Sequence, residues 1–263
     1  VTGRREEYGV KLVRDTWLIF QQEAGLMVRN PVMVAFSLAQ PITYLILFAP
    51  FLKVVMVDRG AASYADAYRI YVPGLFVAMG LFGGLFAGYG LLSALRAGII
   101  DRCRVTPVSR TGLLLGRALM HVCLNVVQAV VVTLVALPFG LRVHLANLLV
   151  SYALLSVMVL LSTSISYDIA LLVRNENSLG VLVNTVGQPV SLLAGVLIPL
   201  VLAPMWIQRV AVWNPFAWAT DGMRALFAGQ ITQTVVWQGA LIMSGLAAAS
   251  LFWSSHLFNR EVS

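Results

Sequence analysis

Six long apolar runs, at about residues 31–57, 70–95, 111–137, 146–173, 179–200 and 234–258, constrain this chain more than any other feature. Hydrocarbon offers backbone N–H and C=O groups no water to bond. Only helices and closed barrels therefore cross a bilayer. The runs are continuous rather than alternating, which selects helices over a barrel. Most reach the roughly 20 residues that a hydrocarbon core about 30 Å thick requires. Composition agrees: 59% of the 263 residues are hydrophobic and 11% charged, against about 25% charged in soluble proteins. The expected fold is an all-α integral membrane protein. It has six transmembrane helices, an N-terminal interfacial amphipathic helix and an extracellular-side re-entrant helical hairpin between helices 5 and 6.

The formal net charge of +7 reads here as basic residues flanking membrane helices on the cytoplasmic side. No basic domain is present, so no nucleic-acid partner is expected. Six spans put both termini on one side. With cytoplasmic termini, 12 of the 18 Lys and Arg lie inside: five before residue 30, five in 96–117, Arg174 and Arg260. The other six, Lys53, Arg59, Arg69, Arg142, Arg209 and Arg224, lie outside. This asymmetry predicts cytoplasmic termini. Only two of the 18 basic residues are lysine, a usage typical of GC-rich bacterial genomes, so the expected location is a bacterial inner (plasma) membrane. The charges scattered through the first 30 residues leave no apolar core for a cleavable signal peptide.

Residues 8–29 place Val10, Val13, Trp17, Phe20, Ala24 and Met27 at helical spacing among polar residues. That pattern suits a helix in the cytoplasmic interface or one packed on a protein partner. In the second span Gly80, Gly84 and Gly88 form a doubled small-xxx-small motif. Such a face lets another helix approach closely, inside the chain or at a subunit interface. The segment 96–117, RAGIIDRCRVTPVSRTGLLLGR, has five arginines and one acid and is the most basic loop. Its Asp101–Val105 part is a candidate short helix stopped before Pro107.

Arg117, His121, Asn125 and Gln128 share an arc of about 80° on the third span, suited to interhelical bonding or to substrate contact. Ser162, Thr163, Ser164 and Ser166 in the fourth are expected to bond their own helix's carbonyls. Asn184, Gln188 and Ser191 line one stripe of the fifth span, where Pro189 predicts a kink. A polar, charge-free stripe is a candidate substrate path, with helix packing as the alternative.

The stretch Leu192–Gly229 is too broken to span and too apolar for a soluble loop. Pro199 and Pro204 are expected to end the fifth span. Residues 205–212 suit one short helix. Asn214 can cap a second with Pro215 in its first turn, and Gly229 can end it. Asp221 and Arg224, at i and i+3, can neutralise each other. Trp206, Trp213 and Trp218 suit the headgroup level. Together these make a hairpin at 202–230 that dips into the outer leaflet and roofs the exit of a path, or an interfacial helix pair that anchors the last span.

No phosphate-cradling glycine loop surrounds either lysine, Lys11 or Lys53, and neither a zinc-binding HExxH nor a GxSxG elbow occurs. The spans carry no central carboxylate pair of the kind ion coupling uses. Cys103 and Cys123 lack metal-ligand spacing. A path without an energy source points to a partner chain.

Two stretches resemble the type-2 ABC exporter permease family, especially bacterial daunorubicin-exporter permeases. One is 96–117, with RVTPVSR followed by LLLGR. The other carries IPL, Pro204, Trp206, Asn214-Pro215, Asp221, Arg224 and Gly229 in the family's order. The resemblance implies an N-terminal cytoplasmic helix over 1–30 and a six-helix transmembrane domain over 31–263. It implies pairing with a second permease, as a homo- or heterodimer, and with cytoplasmic ATP-binding cassette subunits that bind ATP and Mg. This chain would hold no cofactor and catalyse nothing. By the same resemblance, Asp101, Arg102, Arg104, Pro107 and Arg110 belong to a coupling helix. The Gly80, Gly84, Gly88 face and the Asn184, Gln188, Ser191 stripe would line the path.

The function implied is outward movement of an amphiphilic drug, antibiotic or lipid. A polyprenyl-linked glycan is the alternative cargo, for which Tyr44, Phe48, Phe82, Phe86 and Tyr89 offer an aromatic lining. An ion-coupled secondary transporter is the alternative of another class.

Overall fold

The computed structural model describes residues 2–56, 64–97, 110–197 and 199–261. They form α-helices joined by short links, with no strand among the described residues. In chain order these are α1 (Thr2–Val28), α2 (Pro31–Met56), α3 (Tyr64–Leu85), α4 (Ala87–Arg96), α5 (Arg110–Ala136), α6 (Leu145–Val173), α7 (Glu176–Leu193), α8 (Met205–Ala211), α9 (Pro215–Phe227) and α10 (Thr234–Glu261). Single 3-10 turns lie at Leu137–Phe139 and Leu200–Leu202.

Among the described residues four segments are long and apolar enough to cross a membrane: Ala65–Arg96, Thr111–Phe139, Leu145–Val173 and Thr234–Leu257. The apolar part described in α2, Val34–Phe48, is shorter. The helix expected over 179–200 stops at Leu193, because Gly195 turns to φ +69°. A left-handed residue ends an α-helix, so the stop precedes both prolines that were expected to impose it. Pro189 lies inside α7, which continues through it.

The molecule is organised around α6, against which α3, α4, α5 and α10 all pack. Leu155, Met158 and Val159 are fully buried at its middle. On α3 the small-residue face meets α6 inside the chain. A Cβ at Gly84 would collide with Ser162 and the Thr163 backbone, one at Gly80 would stand 3.1 Å from Leu155, and one at Gly88 would stand 2.5 Å from Ser166 Oγ. The glycines therefore buy backbone approach between two neighbouring helices of one chain.

The span expected over 70–95 is broken at Phe86, where α3 ends and α4 begins. A break inside an apolar segment strands backbone polar groups, which must find other partners. Ser166 supplies them: its hydroxyl accepts the Gly88 N–H at 3.0 Å and donates to the Leu85 carbonyl. The expectation that the α6 hydroxyls bond their own helix holds for Ser164, which donates to Leu160 O at 2.8 Å. It fails for Ser162 and Thr163, whose buried hydroxyls have no hydrogen-bond partner among the described residues, and for Ser166, because a neighbouring helix offers unsatisfied groups at bonding distance.

The N-terminal helix packs on the start of α5. Gly116 makes the approach possible, since a Cβ there would lie 2.7 Å from Ile19 Cβ and from the Thr16 carbonyl. Beside it Arg117 Nε stands 2.9 Å from Glu23 Oε1, with both side chains largely buried. Arg117 also donates to Gly90 O on α4 at 3.4 Å. The rest of its arc bonds backbone too: Asn125 Nδ2 reaches His121 O at 2.9 Å and Gln128 Nε2 reaches Ser37 O on α2 at 3.3 Å. These contacts assign the arc to helix packing.

Candidate functional site

The helix α7 is held differently from the rest. At its start Asn175 is an N-cap whose side chain accepts the Asn177 N–H at 2.9 Å and the Ser178 N–H at 3.4 Å, satisfying two of the amides that open any helix. The link from α6 is only Arg174 and Asn175, with Arg174 at φ 52°. At its first residue, Glu176 pairs with Arg96 at the end of α4 at 3.0 Å. Residues 98–109 lie outside the described residues.

Along its length α7 buries one face and leaves the other bare. Leu179, Val183, Gly187 and Ser191 are buried. Gly187 lies against Phe82 and Leu85, and Gly180 against the Tyr89 hydroxyl. Phe82, Phe86 and Tyr89 form a run of aromatic contacts, each neighbouring pair of centroids 6.2 Å apart. On the bare side Val181, Val186 and Leu192 are exposed, with Asn184 and Gln188 among them. The expected polar stripe therefore divides. Asn184 and Gln188 face outward, and Ser191 faces the core. Asn184 donates to its own helix at Gly180 O, 2.9 Å away, which leaves its amide oxygen for a ligand or a second protein surface.

At its far end α7 is held by the hairpin formed from α8 and α9. Asn214 caps α9 by accepting the Phe216 N–H at 3.1 Å, and its Nδ2 donates to Val190 O at 2.7 Å. One side chain thus serves two helix ends. Arg224 Nη2 donates to Gly195 O at 2.5 Å. A cation at the C-terminal end of a helix meets the negative end of its dipole. The expected partner, Asp221, stands 3.9 Å from Arg224 Nη1 and is 55% exposed, whereas Arg224 is 15% exposed. The carbonyl is therefore the closer partner. Burial lowers the Arg224 guanidinium to about 10, and Asp221 acts the other way; it remains charged at neutral pH.

Most of α9 is buried, against α3, α6 and α10. Asn147 on α6 donates to Leu226 O at 2.7 Å, and Gly229 turns to φ +87° after the helix. By contrast α8 is open: Trp206 is 67% and Trp213 89% exposed. Trp218 Nε1 donates to Val212 O at 2.9 Å. Pro215 opens α9 as expected, whereas Pro204, expected to end the fifth span, stands instead at the N-cap of α8.

Asp101, Arg102, Arg104 and Pro107 lie outside the described residues, and Arg110 opens α5. Gly80, Gly84 and Gly88 line no open surface; Gly80 and Gly84 on α3 and Gly88 on α4 form the seam with α6. Three features escaped sequence reasoning: the break at Phe86, the Ser166 bridge and the Arg224 bond to Gly195. The glycine cluster GLFGGLFAGYG (80–90) signalled the first. Nothing local signals a bond across 29 positions. Among the described residues no group of three His, Cys, Asp or Glu side chains converges as a metal ion requires.

Residues 14–228 match the family described as ABC-2 type transporter membrane proteins. The chain is 23% identical over 234 residues to the "Putative transport permease ycf38" of Porphyra purpurea, covering 87% of this chain and 80% of that protein. The protein of the same name from Pyropia yezoensis is 24% identical over 224 residues, covering 84% and 76%.

Proposed function

The chain belongs to the ABC-2 type transporter family, and from that premise we propose that it is the permease subunit of an ATP-driven exporter. With a second permease it forms the path along which an amphiphilic drug, antibiotic or lipid-like molecule moves outward. The observation that carries the cargo class is the bare face of α7, which presents Asn184 and Gln188 among apolar residues and no charge. Weak hydrogen-bonding groups on an apolar wall suit a large amphiphile that slides rather than docks. A separate ATP-binding cassette subunit supplies hydrolysis and binds ATP and Mg. It is seated on the segment 96–117, whose residues from Arg110 onward belong to α5.

On this reading α2 and α7 complete a six-span arrangement with cytoplasmic termini in a bacterial inner membrane. The α8–α9 hairpin is re-entrant from the outer side. Its exposed tryptophans support a headgroup position. The test is co-expression with a candidate cassette ATPase and reconstitution of the complex. Export of amphiphiles that requires ATP and falls in an Asn184→Leu/Gln188→Leu variant supports the reading. Failure of any ATPase to co-purify, with transport that survives ATP depletion, overturns it in favour of a secondary transporter.

One observation favours a second cargo. Phe82, Phe86 and Tyr89 run beside α7, and Tyr44, Phe48 and Tyr71 make a second aromatic cluster with centroids 5.7 and 6.0 Å apart. Stacked rings suit a glycan, so lipid-linked saccharides belong in the same transport panel.

A further inference from the structure

The N-terminal helix has three faces rather than two. Leu12, Asp15, Ile19 and Glu23 form the packed face: Asp15 is buried, Ile19 lies against Gly116 and Glu23 pairs with Arg117. At about 100° per residue, one flank carries Val13, Trp17, Phe20, Ala24 and Val28 within an arc of about 80°. Val13 is 70%, Trp17 53% and Val28 79% exposed. The Trp17 and Phe20 rings stack with centroids 5.2 Å apart. The opposite flank carries Lys11, Arg14 and Arg29, all exposed, with the exposed Leu18 among them. Between residues 11 and 29 the carboxylates are Asp15 and Glu23, and both belong to the packed face. A bare apolar flank therefore runs alongside a bare cationic one.

Only Arg29 and Asn30 separate α1 from the apolar helix α2. The exposed flanks consequently lie where that helix leaves hydrocarbon. A helix with an aromatic-apolar side and a basic side lies in a headgroup layer, and anionic lipid strengthens its binding. We infer that α1 is a binding surface for anionic phospholipid, with the Val13, Trp17 and Val28 flank among the upper acyl chains. Lys11, Arg14 and Arg29 contact the phosphate-bearing headgroups. Arg14, on the same side as Trp17, marks the border between the two layers. This surface depends on the chain being a membrane protein and not on its cargo or its cassette partner.

The experiment uses the full chain reconstituted in phosphatidylcholine vesicles containing spin-labelled phosphatidylglycerol or spin-labelled phosphatidylcholine. Electron spin resonance then reads the preference for the anionic lipid at the protein surface. The wild-type protein is expected to prefer phosphatidylglycerol. In K11Q/R14Q/R29Q that preference should fall by up to about fivefold per cation removed at low ionic strength, and high salt should erase the difference. R142Q, an exposed cation outside α1, should keep it. Brominated phosphatidylcholine should quench the emission that distinguishes wild type from Trp17→Phe. Unchanged lipid preference in the triple variant overturns the inference. So does a triple variant that keeps its lipid preference but loses affinity for a cytoplasmic ATPase in detergent, which would make the flank a protein contact. Absence of quenching at Trp17 overturns the placement of the apolar flank.

Discussion

Single side chains in this protein are worth most where they serve two backbones. Ser166 is one. Ser166→Ala would leave the Leu85 carbonyl and the Gly88 amide without a partner, a loss of about 1–3 kcal/mol for groups buried away from water. Thermal unfolding in detergent should show it as a lowered midpoint, while Ser156→Ala, which loses only a bond within its own helix, should change little. Arg224 is another. Arg224→Met removes the donor to Gly195 O and should cost about 1–3 kcal/mol. Asp221→Asn should cost well under 1 kcal/mol, because the carboxylate is 55% exposed and 3.9 Å away. Equal losses in the two variants would make the ion pair, and not the carbonyl, the stabilising contact. Sequence spacing makes the pair visible, since i and i+3 meet on any helix. The carbonyl partner depends on where α7 ends, which spacing cannot tell.

Elements were legible in proportion to how locally they are determined. The cap at Asn214, the proline after it and the stop at Gly229 follow from side-chain and backbone preferences of single residues, and the structure places each as expected. The long spans followed from composition alone. The boundaries of α4 and α7 did not. Phe86 interrupts a helix only because Ser166, 80 residues later, makes the interruption tolerable. The polar stripe of α7 was visible as a period, but its division into an inner Ser191 and an outer Asn184 and Gln188 depends on which neighbour covers which face. The docking of α1 is a test at this scale. Gly116→Val places branched carbons where Ile19 and the Thr16 carbonyl already lie, so α1 should separate from α5. Hydrogen exchange over residues 2–28 should accelerate several-fold while α6 stays protected. Gly90→Ala, with nothing near its Cβ, should leave exchange unchanged. Protection of α1 retained in Gly116→Val would show that the Glu23 and Arg117 contact suffices to hold it.

For the whole molecule, on the proposed exporter reading, the decisive question is how an event at one end of the bundle would reach the other. Arg102→Glu/Arg104→Glu reverses charge in the loop read as the cassette contact. The variant should lower co-purification of the ATPase by at least tenfold without altering the unfolding midpoint of the membrane part. Unchanged association would move the contact elsewhere. In sequence that segment follows α4, which ends on Arg96, bonded to Glu176 at the foot of α7. At its head the Val190 carbonyl of α7 accepts from Asn214, and the Gly195 carbonyl just beyond it accepts from Arg224 of the hairpin. Mechanically, this helix is a beam pinned at two ends and supported along one side only. A beam so mounted can roll or bow toward its free side without breaking the joints that locate it. On the exporter reading, a push delivered at its foot would arrive as a tilt of the hairpin at its head, with the hydrophobic interior around α6 left standing.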